Sequence, residues 1–261
     1  MKNYQLPLSE EFIAYKKQES TVLRGAILVG RTINTDFDQS WVLEKIKHFA
    51  EQVITESDGD RSDDLVLFLN KTGFRGATDY YDYANSDIEH VLRSRVGIPI
   101  SLAVVLMSVA DELVITNEGI NFPGHFLTSI NQRIVDPFSM TFVEDTIWKG
   151  WLNRSGLTKK EGFIRASNSQ VVLRMLSNLK VLATSRSDFS KALDFSGYQL
   201  LLADNLFPLY LERADFWKKL NVPTMALQEL ESASAIAPDQ VTSAELTKQI
   251  ETLATTPTKL H

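Results

Sequence analysis

Residues Pro99 to Leu113 read PISLAVVLMSVADEL, and a helix drawn through this stretch is apolar nearly all round. Such a helix has to be buried on most sides, so other elements must be built around it. Proline suits the first helical position, where its missing N–H costs nothing. Downstream, Ile120 to Ile130 and Arg133 to Phe138 carry β-branched and aromatic residues on either side of the polar pair Asn131-Gln132, which predicts a hairpin. Upstream, Trp41, Leu43, Ile46, Phe49, Ala50 and Val53 recur at the spacing that lines one helix face. Ser62 is expected to cap a helix over DDLVLFLN, with Gly73 at its exit. The fold class is α+β and mainly helical. We expect an N-terminal helical region over 1–78, a core over 79–165 and a helical tail over 166–261.

In the tail, Tyr210, Ala214, Trp217, Ala226, Leu230, Ala233 and Pro238 fall on the small and large positions of a tetratricopeptide repeat. Ala192 lies one repeat period before Ala226, in a degenerate earlier copy with Gln199 and Asp204 at off-pattern positions. Repeats this few cannot form a free solenoid.

The chain has no cysteine, which removes disulfides, thiolate metal sites and any cysteine nucleophile. Its formal charge of -6 opposes a general electrostatic grip on nucleic acid, which requires a basic face. The start of the chain, MKNYQLPLSEEFIAYKK, lacks the order of a secretory signal. The longest apolar run, near Ile100 to Ala110, falls short of the ~20 residues of a membrane span. The expectation is a cytoplasmic protein with no membrane and no nucleic-acid partner. His48 and His90 have no second ligand at metal spacing, and Asp79, Asp82 and Asp87 lack the glycine and final glutamate of a calcium loop. No metal and no cofactor are expected.

Acyl transfer needs a nucleophile, a base within hydrogen-bond reach and a group that orients the base. Ser101 falls in the first turn after Pro99, where free backbone N–H groups and the helix dipole favour a developing anion. Ser108 lies under the same stripe. His125 and Asp136 would supply base and orienter from adjacent strands. With a two-residue turn, Leu127 faces Asp136 and His125 becomes its diagonal neighbour on one face of the hairpin. A three-residue loop would place the two on opposite faces.

The stretches NSDIEHVLRSRVGIPISLA, GINFPGHFL, VDPF and RMLSNLK, followed by repeat-like helices, resemble the bacterial SirB-type transglutaminase-like proteins with a tetratricopeptide tail. The resemblance runs from Asp79 to Pro238 and implies a papain-like core. It implies that His125 matches the catalytic histidine of that superfamily and Asp136 the acid that orients it. The helix start that should bear the cysteine reads GIPISL. Within the resembling stretches, Asn85, Arg95 and Asn121 are candidate binding residues, with Trp217 in the tail; Arg93 also leads into the central helix. Two functions follow as expectations. One is a non-catalytic adaptor or regulator that binds a protein partner through the tail and the old substrate cleft. The other is a serine-based acyl hydrolase or transferase using Ser101, His125 and Asp136.

Overall fold

The computed structural model describes residues 6–18, 20–57 and 59–255. The first five residues of the stretch read for a secretory signal, and the last six of the tail, lie outside them. Residues 10–175 form one compact unit, and residues 176–255 with 6–9 form a second. The helices before residue 79 therefore belong to the same unit as the strands after it.

In order, the first unit carries α1 (Ser9–Lys17), α2 (Val22–Ile33), α3 (Gln39–Glu56), α4 (Arg61–Lys71), β1 (Arg75–Gly76), a 3-10 turn (Tyr83–Ser86), α5 (Ile88–Ser94), β2 (Val96–Gly97) and α6 (Pro99–Glu112). There follow β3 (Asn117–Phe122), β4 (His125–Ile130), β5 (Arg133–Asp136), β6 (Thr141–Phe142), α7 (Asp145–Ser155), α8 (Lys159–Gly162) and β7 (Ile164–Ala166), and then α9 (Asn168–Ser185), whose residues after 175 are counted with the second unit. Short polar side chains set many helix starts. Thr21 accepts the Arg24 N–H and Asp38 the Trp41 N–H. The cap of α4 is Asp60, which accepts the Ser62 N–H, while Ser62 itself sits buried inside the helix. Asp60 prevails because its carboxylate also complements the positive end of the helix dipole. Gly73 leaves α4 at φ +94°, a conformation that suits glycine.

Helix α6 is the centre of this unit. Every residue from Ile100 to Ala110 is buried, Ser101 and Ser108 included. Helices α2, α3, α4 and α5 pack on it, and so do strands β3 and β4. Its composition requires this, because a helix without a polar face gains only when every side leaves water.

The main sheet is antiparallel, in the order β6-β5-β4-β3-β7. The stretch from Ile120 to Ile130 does not run as one strand, because Pro123-Gly124 turns it back and pairs Phe122 with His125. The β4–β5 turn holds two residues, Asn131 at φ 47° and Gln132 at φ 68°, which matches the right-handed strand twist. Strand β7 falls at the boundary between the expected core and the expected helical tail, and the sequence reading did not foresee it. Its three residues are too few to show an alternating pattern, and pairing with β3 alone defines them. On one sheet face Ile120, Phe122 and Leu127 pack with Trp148 and Leu152 of α7. Side-chain alternation puts Phe126, Thr128 and Ile130, all buried, on the other face, towards α6.

The second unit continues with α10 (Phe189–Leu202), α11 (Phe207–Lys219), α12 (Pro223–Ala235) and α13 (Gln240–Thr255). Neighbouring helices pack in sequence, and Ala214, Leu230, Ala233 and Leu246 form their core. A buried ion pair ties α11 to α12: the Arg213 guanidinium meets Glu229 at 2.8 Å and also donates to the Leu193 carbonyl at 2.9 Å. Ala192, Ala226 and Ala233 are fully enclosed, so their small size allows the helices to approach closely. Replacing Ala226 with leucine should overpack its surroundings and lower stability by about 1–3 kcal/mol, measured by chemical denaturation. Unchanged stability would show that Ala226 does not sit at a tight helix contact.

Candidate functional site

Ser101 is the third residue of α6 and is completely buried. Its hydroxyl lies 2.6 Å from the Asn85 carbonyl and 3.0 Å from the Ile98 carbonyl, and it accepts the Ile98 N–H at 3.1 Å. A serine hydroxyl has a single proton, and the shortest contact assigns it to the Asn85 carbonyl. That acceptor is an amide oxygen, too weakly basic to take the proton away. The bond joins the NSD stretch before α5 to the start of α6. Gly97 makes room for it, since a Cβ there would lie 2.6 Å from the Ser101 Oγ.

His125 opens β4 on the other side of the sheet. Alternation puts it with Leu127 on the α7 face, away from α6. Its ring stacks on Trp151 of α7, with centres 5.0 Å apart and planes 10° from parallel, beside Phe122. Asp136 shares that sheet face by parity, as the Thr128–Val135 pairing requires. Its carboxylate nevertheless turns to its own loop: Oδ1 accepts the Phe138 N–H at 2.9 Å and Oδ2 accepts the Ser139 hydroxyl at 2.9 Å. Aspartate commonly accepts from the backbone two residues on, and the following proline favours the turn. Among the described residues no hydrogen bond joins Asp136 to His125. The structure brings none of Ser101, His125 and Asp136 into hydrogen-bond contact with another.

The turn after Asp136 carries Phe138 out of the sheet and over Gly76, whose N–H donates to the Phe138 carbonyl at 2.8 Å. The Phe138 ring stacks on Tyr80 at 6.1 Å. Partial burial, with the Asp136 charge nearby, raises the pKa of the Tyr80 phenol. Tyr80, Tyr81 and Phe138 form an exposed aromatic rim at this end of the unit.

The candidate binding residues have internal partners. Buried Asn85 donates its amide to the Asp79 carbonyl at 2.7 Å. Arg95 closes α5 in the left-handed region at φ 61° and donates to the Thr72 carbonyl at 2.6 Å. Asn121 accepts from Arg174 at 3.3 Å, and the Trp217 indole N–H donates to Glu229 at 3.3 Å. Arg93 pairs with Glu89 and covers the Trp41 ring. Asp87 caps α5 through the Glu89 N–H and accepts from Asn34. Burial raises its pKa, against the lowering effect of those hydrogen bonds. Among the described residues no cluster of three or more His, Asp or Glu could hold a metal ion.

The sequence reading missed Trp151 and Gly97. Trp148 and Trp151 stand three apart in TIWKGWL, a spacing that places both on one helix side. The glycine in RVGIP precedes a buried helix start, where close backbone approach is to be expected.

A family model described as the transglutaminase-like superfamily matches residues 40–177, more than half of the sequence, and the chain belongs to that superfamily. Within it the chain is of the SirB type. Protein SirB1 of Salmonella typhimurium is 25% identical over 255 residues, covering 91% of this chain and 94% of that protein. A UPF0162 protein of Xylella fastidiosa is 30% identical over 145 residues, and there the match spans about half of each, 51% of this chain and 52% of the relative. F-box only protein 21 of Mus musculus is 45% identical over 62 residues, 23% of this chain and 10% of that protein. No solved structure matches.

If the Ser101 hydroxyl is a structural tie, Ser101→Ala should leave the Asn85 carbonyl and the Ile98 N–H unpaired in a dry site. The expected loss is about 1–3 kcal/mol of unfolding free energy, read from a denaturant titration. A variant as stable as the parent would mean the hydroxyl carries no structural load.

Proposed function

We propose that this chain is a non-catalytic member of its superfamily and acts as a protein-interaction adaptor or regulator. The observation that carries the reading is the state of the Ser101 hydroxyl. It is enclosed, it donates to a backbone carbonyl, and the candidate base His125 stacks on a tryptophan on the other face of the sheet. A serine nucleophile depends on a base that accepts its proton and on open space for a carbonyl carbon. Neither condition is met at Ser101. The absence of cysteine removes the thiol route.

In this reading the core of residues 79–165 is a scaffold derived from an enzyme, and the helices after 166 form a tetratricopeptide-like tail that holds the partner. The enclosed alanines of the tail and its sequential helix packing support the repeat reading. The exposed aromatic pair of Tyr80 and Phe138 offers a second contact surface. The chemistry of such a rim suits a protein partner, since aromatic side chains give large contact area at small entropic cost. The working location is the cytoplasm.

The test has two arms. The intact protein used as bait in its own cell extract should capture a partner that is lost when the chain is cut after residue 175. A fluorophosphonate probe should leave the wild type unlabelled. Labelling at Ser101 that disappears in His125→Ala would make the chain a serine enzyme and end the adaptor reading.

A further inference from the structure

On the sheet face away from α6, a cavity of about 350 Å³ opens between β5, β6 and helices α7 and α8. Its size is near the small end of ligand pockets in proteins. Ile134, Val143, Trp148 and Phe163 supply apolar wall, and four charged side chains stand around it: Arg133, Glu144, Asp145 and Lys159.

Two of those charges are already satisfied. Arg133 pairs with Asp63 and lies over the Phe142 ring at 3.7 Å. Asp145 accepts from Lys149 at 2.9 Å and from the Trp148 indole N–H at 3.1 Å. The other two make no direct ion pair among the described residues. Lys159 holds its ammonium 5.1 Å from the centre of the Trp148 ring, and its charge acts on Asp145 only from beyond salt-bridge contact. Glu144 precedes α7, yet its side chain makes no capping hydrogen bond, and it too has no ion-pair partner among the described residues. One cation and one anion without a direct ion pair thus stand at a cavity whose lining is part polar and part apolar.

From this juxtaposition we propose that the cavity binds a small zwitterion with an apolar body, of the chemistry of an apolar or aromatic α-amino acid. The ligand carboxylate meets Lys159, its ammonium meets Glu144, and its side chain rests against Trp148 and Phe163. An acid without the ammonium leaves Glu144 facing a like charge, and an amine without the carboxylate does the same at Lys159. The site therefore discriminates by repulsion as well as by attraction. Buried beneath the cavity, Trp148 reports on occupancy through its fluorescence.

The test is calorimetric titration of the full chain with L-phenylalanine, 3-phenylpropionate and 2-phenylethylamine, with tryptophan fluorescence as a second readout. L-Phenylalanine should bind saturably at millimolar or lower concentration, and each analogue should bind at least roughly tenfold more weakly. Lys159→Gln should erase the preference for L-phenylalanine over the amine, and Glu144→Gln its preference over the acid. Both side chains are exposed, so both variants should melt at the wild-type temperature without ligand, which separates lost binding from lost folding. Absence of saturable binding by the wild type, or variants that keep both preferences, would overturn the assignment. Neither outcome depends on whether the tail holds a partner.

Discussion

Helix α6 has no side that can face water, and much of the first unit follows from that. Four helices and two strands are needed to enclose it, so the N-terminal helices cannot be an independent appendage of the core. Burial of its large side chains, at roughly 1.5–3 kcal/mol each, makes this helix a substantial contributor to the stability of the unit. The same enclosure decides the chemistry available at its N-terminus. A helix start is a favourable place for an anion when it opens on a cleft. Here the first turn is roofed by the Asn85 backbone, and the hydroxyl in it serves as a fastener between two segments.

The three residues that the resemblance offers as catalytic groups each make separate structural contacts here. Ser101 joins the start of α6 to the turn before α5. Asp136 shapes the loop that lifts Phe138 onto Tyr80. His125 holds α7 to the sheet through Trp151. Each duty uses the polar or aromatic character of the residue without needing the other two nearby. Retention of a histidine and an aspartate in familiar motifs is therefore compatible with a site that has no assembled triad.

Much of this architecture was legible in the sequence wherever local composition determined the outcome. The extent of α6, with proline at its start, follows from its unbroken apolar run, and the two-residue turn at Asn131-Gln132 follows from a polar pair between β-formers. Pro123-Gly124 carried an equally plain turn signal and was read through as strand, because the apolar residues on both sides gave one continuous pattern. Strand β7 is defined only by a partner far away in sequence. The sequence offered Ser101, His125 and Asp136 as candidates but did not show how they would be arranged. Parity gives the face of His125, but which helix covers that face depends on Trp151, a distant residue. The partner of Asp136 could have been read locally, since an aspartate before proline commonly bonds within its own turn.

The central claim is that Ser101 is sealed and unconnected to His125, and a thiol placed there tests it directly because the chain has no cysteine to compete. Ser101→Cys, treated with iodoacetamide at neutral pH under native conditions, should react far more slowly than the same thiol in the unfolded chain. Adding His125→Ala should leave that slow rate unchanged. A thiol that alkylates rapidly in the folded protein, and slows when His125 is removed, would contradict the account by revealing an open site in which the two residues meet.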